Sequence, residues 1–199
     1  MTEKFYIENP NAPTYLKDDN SYTIGSNAFE KMSEYFFDEQ IDENFIKILG
    51  LESSKRTYKF IRRDYVNNPE PMEKFKVFLP QANGSGAIGE VMSTPLVGLP
   101  LVGSTETFIT IGAFDTREEA AACLAYIKTK FCRAMLGILK VTQSNTRDKW
   151  LKVPLQDFTA SSDIDWSKSV AEIDLQLYAK YNLSAEEINF IESKVRAME

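Results

Sequence analysis

Apolar positions along the chain follow two periods. Thr57 to Val66 (TYKFIRRDYV), Lys74 to Leu79 (KFKVFL) and Thr105 to Ile111 (TETFITI) alternate apolar and polar residues, the two-residue period of a strand. Asn67 to Pro71 (NNPEP) reads as the turn between the first two. These segments predict a sheet of at least three strands. Ahead of them, Asn27 to Phe37 and Asp42 to Leu49 read as two short helices, the second opened by an acidic cap and stopped at Gly50. Residues 1–25 read as extended or irregular chain punctuated by Pro10, Pro13 and Gly25.

Downstream the period becomes helical. Residues 114–140 carry a capping box, Thr116 with Glu119, and then apolar residues at 120, 124, 127, 131, 135 and 138. This predicts one long amphipathic helix packed on the sheet, with Leu124, Ile127 and Phe131 in the core. Past Pro154, residues 167–181 and 183–198 predict two more helices with boxes at Ser169/Glu172 and Ser184/Glu187. The expected class is α+β: a small mixed or antiparallel sheet packed by a long amphipathic helix, with a helical C-terminal tail. Residues 1–160 are expected to form the α+β domain and residues 161–199 a helical extension packed on it.

Composition narrows the chemistry. A chain of 199 residues, 43% hydrophobic, sustains a substantial core. No apolar run approaches the roughly 18 residues of a membrane helix. The start, MTEKFYIENP, lacks the basic and apolar regions of a secretion signal, so the cytoplasm is the expected compartment. There is no histidine, which excludes the usual zinc sites and every Ser-His or Cys-His nucleophile pair. On one helix Cys123 and Cys132 would stand about 13 Å apart along the axis, too far for a disulfide. The net charge of −6 is unevenly spread: residues 1–50 hold 4 basic against 10 acidic residues and residues 154–199 hold 4 against 9, while residues 51–153 hold 15 against 10. Such segregation suits either a basic surface flanked by acidic faces or ordinary solvated clusters.

Two motifs invite enzymatic readings that do not survive their context. Gly84 to Gly89 (GSGAIG) has GxGxxG spacing after a strand, but a dinucleotide loop must open a helix. Pro95, Gly98 and Pro100 follow instead and would break one. Glu192 and Lys194 have the ExK spacing of metal-dependent nucleases, yet they fall on the last helix with no Pro-Asp upstream, and read as surface residues.

The blocks KVFLPQANGSGAIGE, FITIGAFDTREEAAACLAYIKTKFCRAMLGILKVTQ, WLKVPLQDFT and SDIDWSKSVAEIDLQLYAKYNLSAEEINFIE resemble the C-terminal half of adenine-specific DNA methyltransferases of bacterial type II restriction-modification systems, including those fused to a nuclease. The likeness is to their TaqI-like target recognition domain and runs from about residue 57 onward. It implies a bacterial DNA-binding domain whose partners are duplex DNA and a methyltransferase catalytic domain of the same parent chain. S-adenosylmethionine belongs to that other domain, which also holds the Asn-Pro-Pro-aromatic motif. The present sequence has no such motif: ENPNAP (8–13) and NNPEPM (67–72) are its nearest strings. No catalytic residue, cofactor or metal ligand is therefore expected here, and no membrane partner.

In that light the loop with Gln81, Asn83 and Ser85 offers side-chain amides for adenine edges and backbone N–H groups for phosphates. The alternative is a tight connection that needs glycine for positive φ. Arg62, Arg63 and Lys76 on the strands, Lys128, Lys130, Arg133 and Lys140 on the long helix, and Gln143, Asn145, Arg147 and Lys149 after it would extend a DNA-facing surface. For the helical cations the competing reading is solvation and favourable charge near a helix C-terminus. A protein-interaction module without DNA affinity would account for the acidic ends and the helical tail.

Overall fold

A computed structural model gives the fold and describes residues 1–82, 91–139 and 142–198. A short helix, α1 (Glu3–Glu8), starts the chain, with the Thr2 hydroxyl accepting from the Phe5 N–H at 3.3 Å. A single turn, α2 (Ala28–Lys31), leads into a 3₁₀ turn at Ser33–Tyr35. Among the described residues six strands follow: β1 (Phe45–Glu52), β2 (Lys55–Arg62), β3 (Phe75–Pro80), β4 (Leu96–Gly98), β5 (Val102–Ser104) and β6 (Phe108–Phe114). The helices α3 (Arg117–Lys128), α4 (Lys130–Leu139), α5 (Val170–Lys180) and α6 (Ala185–Lys194) complete the chain, with a 3₁₀ segment at Arg147–Lys152. Among the described residues no helix is long and apolar enough to cross a membrane.

The class is α+β, with two small sheets where the strand pattern predicts one. The first has the order β2-β1-β5 and is mixed, β1 pairing antiparallel with β2 and parallel with β5. The second, β4-β3-β6, is antiparallel. Leu49, Phe78 and Phe108 fill the space between them. Beneath the first sheet lies an aromatic core of Phe5, Phe29, Phe36 and their neighbours, closed over Ile46, Ile48 and Ile61. On the second sheet, Cys123 and Ile127 of α3 cover Val77 and Leu79. Phe131 of α4 joins Ile173, Leu177 and Ile191 of α5 and α6 in a helical core.

Three expectations are corrected, the first being irregular chain over residues 1–25, where Glu3–Glu8 is helical. Asp42 to Leu49 is not a helix, since Phe45–Glu52 forms the central strand of the first sheet. A short apolar run such as FIKILGL fits a buried strand as well as a helix, and the pairing on both edges decides for the strand. Gly50 sits inside that strand rather than stopping a helix. A Cβ there would fall 2.5 Å from the Phe29 ring, so glycine is what lets α2 pack onto the sheet.

The predicted long helix is two helices. Thr129 lies between them in an extended conformation, φ −58° and ψ 149°. Its hydroxyl accepts from the Cys132 N–H at 3.1 Å, and the Asp174 carboxylate of α5 accepts from the N–H groups of Lys130 (3.0 Å) and Phe131 (2.9 Å). These acceptors satisfy the open donors of a helix start, which makes a break affordable in a continuous apolar stripe. Ile127 and Phe131 are buried and Leu124 partly so, while Ile138, at the end of the stripe, is exposed. Cys123 and Cys132 are both buried and free. All three capping boxes are present with both of their hydrogen bonds.

Candidate nucleic-acid interface

β3 ends at Pro80, and the chain then carries the two polar stretches singled out by the sequence into contact. The Gln81 N–H donates to the Thr107 carbonyl at 2.8 Å, extending the register with β6. From 65 residues downstream, the Asn145 side-chain amide donates to the Pro80 carbonyl at 2.9 Å and the Asn145 N–H donates to the Gln81 carbonyl at 2.7 Å. Ala82 and Ser144 form an antiparallel bridge beside them. The Trp150 indole N–H donates to the Asn145 carbonyl at 3.3 Å, tying in the 3₁₀ segment. Asn145 is fully buried, and its side-chain oxygen has no hydrogen-bond partner among the described residues. It is the clamp that seats the second stretch on the sheet rather than a group that faces outward.

Two grooves flank this clamp. One, of about 870 Å³, runs between β6, α3 and the 3₁₀ segment and is lined by Gln81, Tyr126, Arg147, Trp150 and Leu155 among others. The other, of about 770 Å³, lies over the sheet end with Arg56, Gln81, Gln143 and Ser144 in its walls. Gln81, Glu106 and Phe108 line both. Glu106 is held by Lys17 at 3.1 Å. Arg56 lies over the Phe108 ring, 5.5 Å from its centroid, and donates to the Thr94 carbonyl at 2.6 Å. Arg147 and Lys152 are exposed and make no ion pair among the described residues.

Of the residues expected to face DNA, Gln81, Gln143 and Arg147 come together at these grooves. Lys149 is next to them, half-buried and paired with Asp148 at 2.8 Å. Others are placed elsewhere. Arg62 is bound to Asp64 at 2.7 Å and to the Tyr65 hydroxyl at 3.0 Å, and Arg63 is paired with Glu73. Both line a separate hollow of about 890 Å³ that shares no residue with the two grooves. Lys130 pairs with Glu192, the carboxylate that also accepts from the Tyr178 hydroxyl at 2.8 Å. Lys128 is half-buried in the last turn of α3, where its carbonyl accepts from the Arg133 Nε at 3.1 Å.

Lys76 and Arg133 are buried, contrary to a surface role. The Lys76 ammonium donates to the Pro71 carbonyl at 2.8 Å and the Met72 carbonyl at 3.2 Å, and burial pushes its pKa down to about 8. Arg133 spans the helix break: its Nε also donates to the Thr129 carbonyl at 3.3 Å and its terminal nitrogen to the Arg196 carbonyl. Desolvation lowers its pKa as well. Asn83, Ser85 and Lys140 lie outside the described residues, as does the GxGxxG loop. The chain resumes at residue 91 as irregular structure and enters β4 at Leu96, with no helix in between.

Arg56, Trp150 and Leu155 line the grooves, with Lys152 exposed in the same 3₁₀ segment as Trp150, without standing among the residues expected to face DNA. The signal available for the last three was the interleaving of cations and bulky apolar residues in RDKWLKVPL. The chain matches no known protein family, no curated protein and no solved structure.

Proposed function

We propose that this chain is a DNA target recognition domain of a restriction-modification adenine methyltransferase, acting with a separate catalytic domain that binds S-adenosylmethionine. The observation that carries the reading is the clamp itself: two polar stretches far apart in sequence are hydrogen-bonded side by side at one sheet end, between two grooves. Gln81 and Gln143 bring side-chain amides of the kind that pair bidentately with adenine, and Arg147 and Lys152 bring exposed cations, unpaired among the described residues, for phosphates. The likeness to TaqI-like recognition domains points the same way.

Half of a two-domain grip binds weakly, and the acidic ends oppose it. Binding to a labelled duplex, followed by fluorescence anisotropy, is therefore expected at low salt in the non-specific range of about 10⁻⁴ to 10⁻⁶ M, falling steeply as salt rises. Arg147→Glu with Lys152→Glu weakens it on every sequence, whereas Gln143→Ala acts on one sequence alone. No binding at low salt would sink the reading. Calorimetry with S-adenosylmethionine is expected to give no heat of binding, and a one-to-one complex would reassign the chain as a methyltransferase in its own right.

One observation favours a protein-interaction module instead. An apolar groove of about 360 Å³ lies between α4 and α6, with Ile138 56% and Phe190 50% exposed and Glu186 and Glu187 on its rim. That reading takes first place if DNA affinity is absent.

A further inference from the structure

Leu155 and Leu151 are 92% and 76% exposed, the two most solvent-bathed large apolar side chains among the described residues. Flexible segments often leave leucines in water, but this segment is anchored. The Pro154 carbonyl, directly before Leu155, accepts from the Tyr126 hydroxyl at 2.8 Å and the Gln156 amide at 3.1 Å, and Gln156 itself is buried. The Val153 N–H closes the 3₁₀ segment onto the Trp150 carbonyl at 3.0 Å, and the Trp150 indole is fixed to Asn145. Trp150, Val153 and Phe158 pack into the helical core. Leu155 therefore projects from a braced backbone, pinned on one side by Pro154 and on the other by Gln156.

Charge indicates what covers it. Leu155 shares the 870 Å³ groove with Arg147, and Leu151 is followed in the chain by Lys152, both cations exposed and unpaired among the described residues. Of the nearby carboxylates, Glu106 is paired with Lys17 and Asp148 with Lys149, and an apolar point beside exposed cations suits a polyanion that has an apolar interior to offer, as a stacked duplex does. We infer that Leu155 is a wedge that enters the base stack of bound duplex DNA and bends it. Arg147 and Lys152 hold the phosphates on either side. The loss of stacking is offset by the added contacts that a bent duplex makes along the groove. This rests on the DNA-binding reading and adds to it a mode of engagement.

The test uses the full chain with duplexes carrying 2-aminopurine at successive steps and a donor and acceptor dye at the two ends. With the native chain at low salt, aminopurine fluorescence should rise and the end-to-end distance shorten. Leu155→Ala should bind by anisotropy within about threefold of native, since phosphate contacts dominate the affinity, yet lose both signals. Arg147→Glu should weaken binding itself. Binding without a rise in fluorescence or shortening, or signals that survive in Leu155→Ala, would overturn the wedge while leaving the DNA reading intact. No binding at low salt would overturn both. Vesicles of equal parts phosphatidylglycerol and phosphatidylcholine are the counter-probe: adhesion lost in Leu155→Ala without DNA binding would assign the leucines to a membrane surface and overturn the inference.

Discussion

Lys76 shows what a single residue contributes and hides. In KFKVFL it reads as an outward-facing cation, because alternate positions carry Phe75, Val77 and Leu79. The strand lies between α3 on one side and the other sheet on the opposite side, so both faces are buried, and period-two alternation carries no trace of the second cover. The ammonium sits under two backbone carbonyls with its pKa lowered from 10.5 to about 8. Between those values the unfolded chain holds a proton that the native chain has shed, so stability rises with pH through that window and the gain is complete above 10.5. The whole effect is on the order of 3 kcal/mol. Urea denaturation at about pH 8 and about pH 10 should show this slope in the native chain and a flatter one in Lys76→Met, whose DNA affinity should be unchanged. Asn145 and Arg133 were misjudged for the same reason: polar side chains look solvent-bound until the carbonyls they satisfy come into view.

At the scale of elements, local signals were legible and imported ones were not. The three capping boxes announced the starts of α3, α5 and α6, because every atom they need lies within four residues. The break at Thr129 was invisible, since the apolar stripe runs straight through it and one of its caps comes from Asp174, 43 residues from Phe131. β1 was misread because its identity depends on partners at both edges and on Phe29 lying over Gly50. Two substitutions examine the junction. Phe131→Ala removes a ring stacked 4.9 Å from Tyr181 at 19° and only 2% exposed, and should cost about 3–5 kcal/mol. Asp174→Ala strands two donors, one of them buried, and should cost about 2–4 kcal/mol, with Asp174→Asn recovering part of it. Unchanged denaturation midpoints would mean that the break does not depend on this cap.

At the scale of the whole molecule, residues 161–199, expected as an extension packed on residues 1–160, contribute α5 and α6 to a core shared with α3 and α4. Tyr126, Phe131 and Ala134 come from the first part and Ile173, Leu177 and Ile191 from the second. The α+β class and the existence of most elements could be read in advance, and of the residues expected to face DNA, Gln81, Gln143 and Arg147 line the two grooves of the candidate site. The second sheet and the clamp could not be read, since both are made by pairing distant segments. A chain ending after residue 160 should accordingly lack a cooperative thermal transition and expose apolar surface to a dye such as ANS. A sharp transition in that piece would show the tail to be an accessory. The cap that Asp174 places on α4 has a further consequence during synthesis on the ribosome. Phe131 and its helix leave the exit tunnel well before the carboxylate that completes them, and at about 5–20 residues per second the missing 43 residues take seconds to follow. For that interval the nascent protein carries a finished first sheet and an unfinished apolar helix, a species that chaperones are suited to hold.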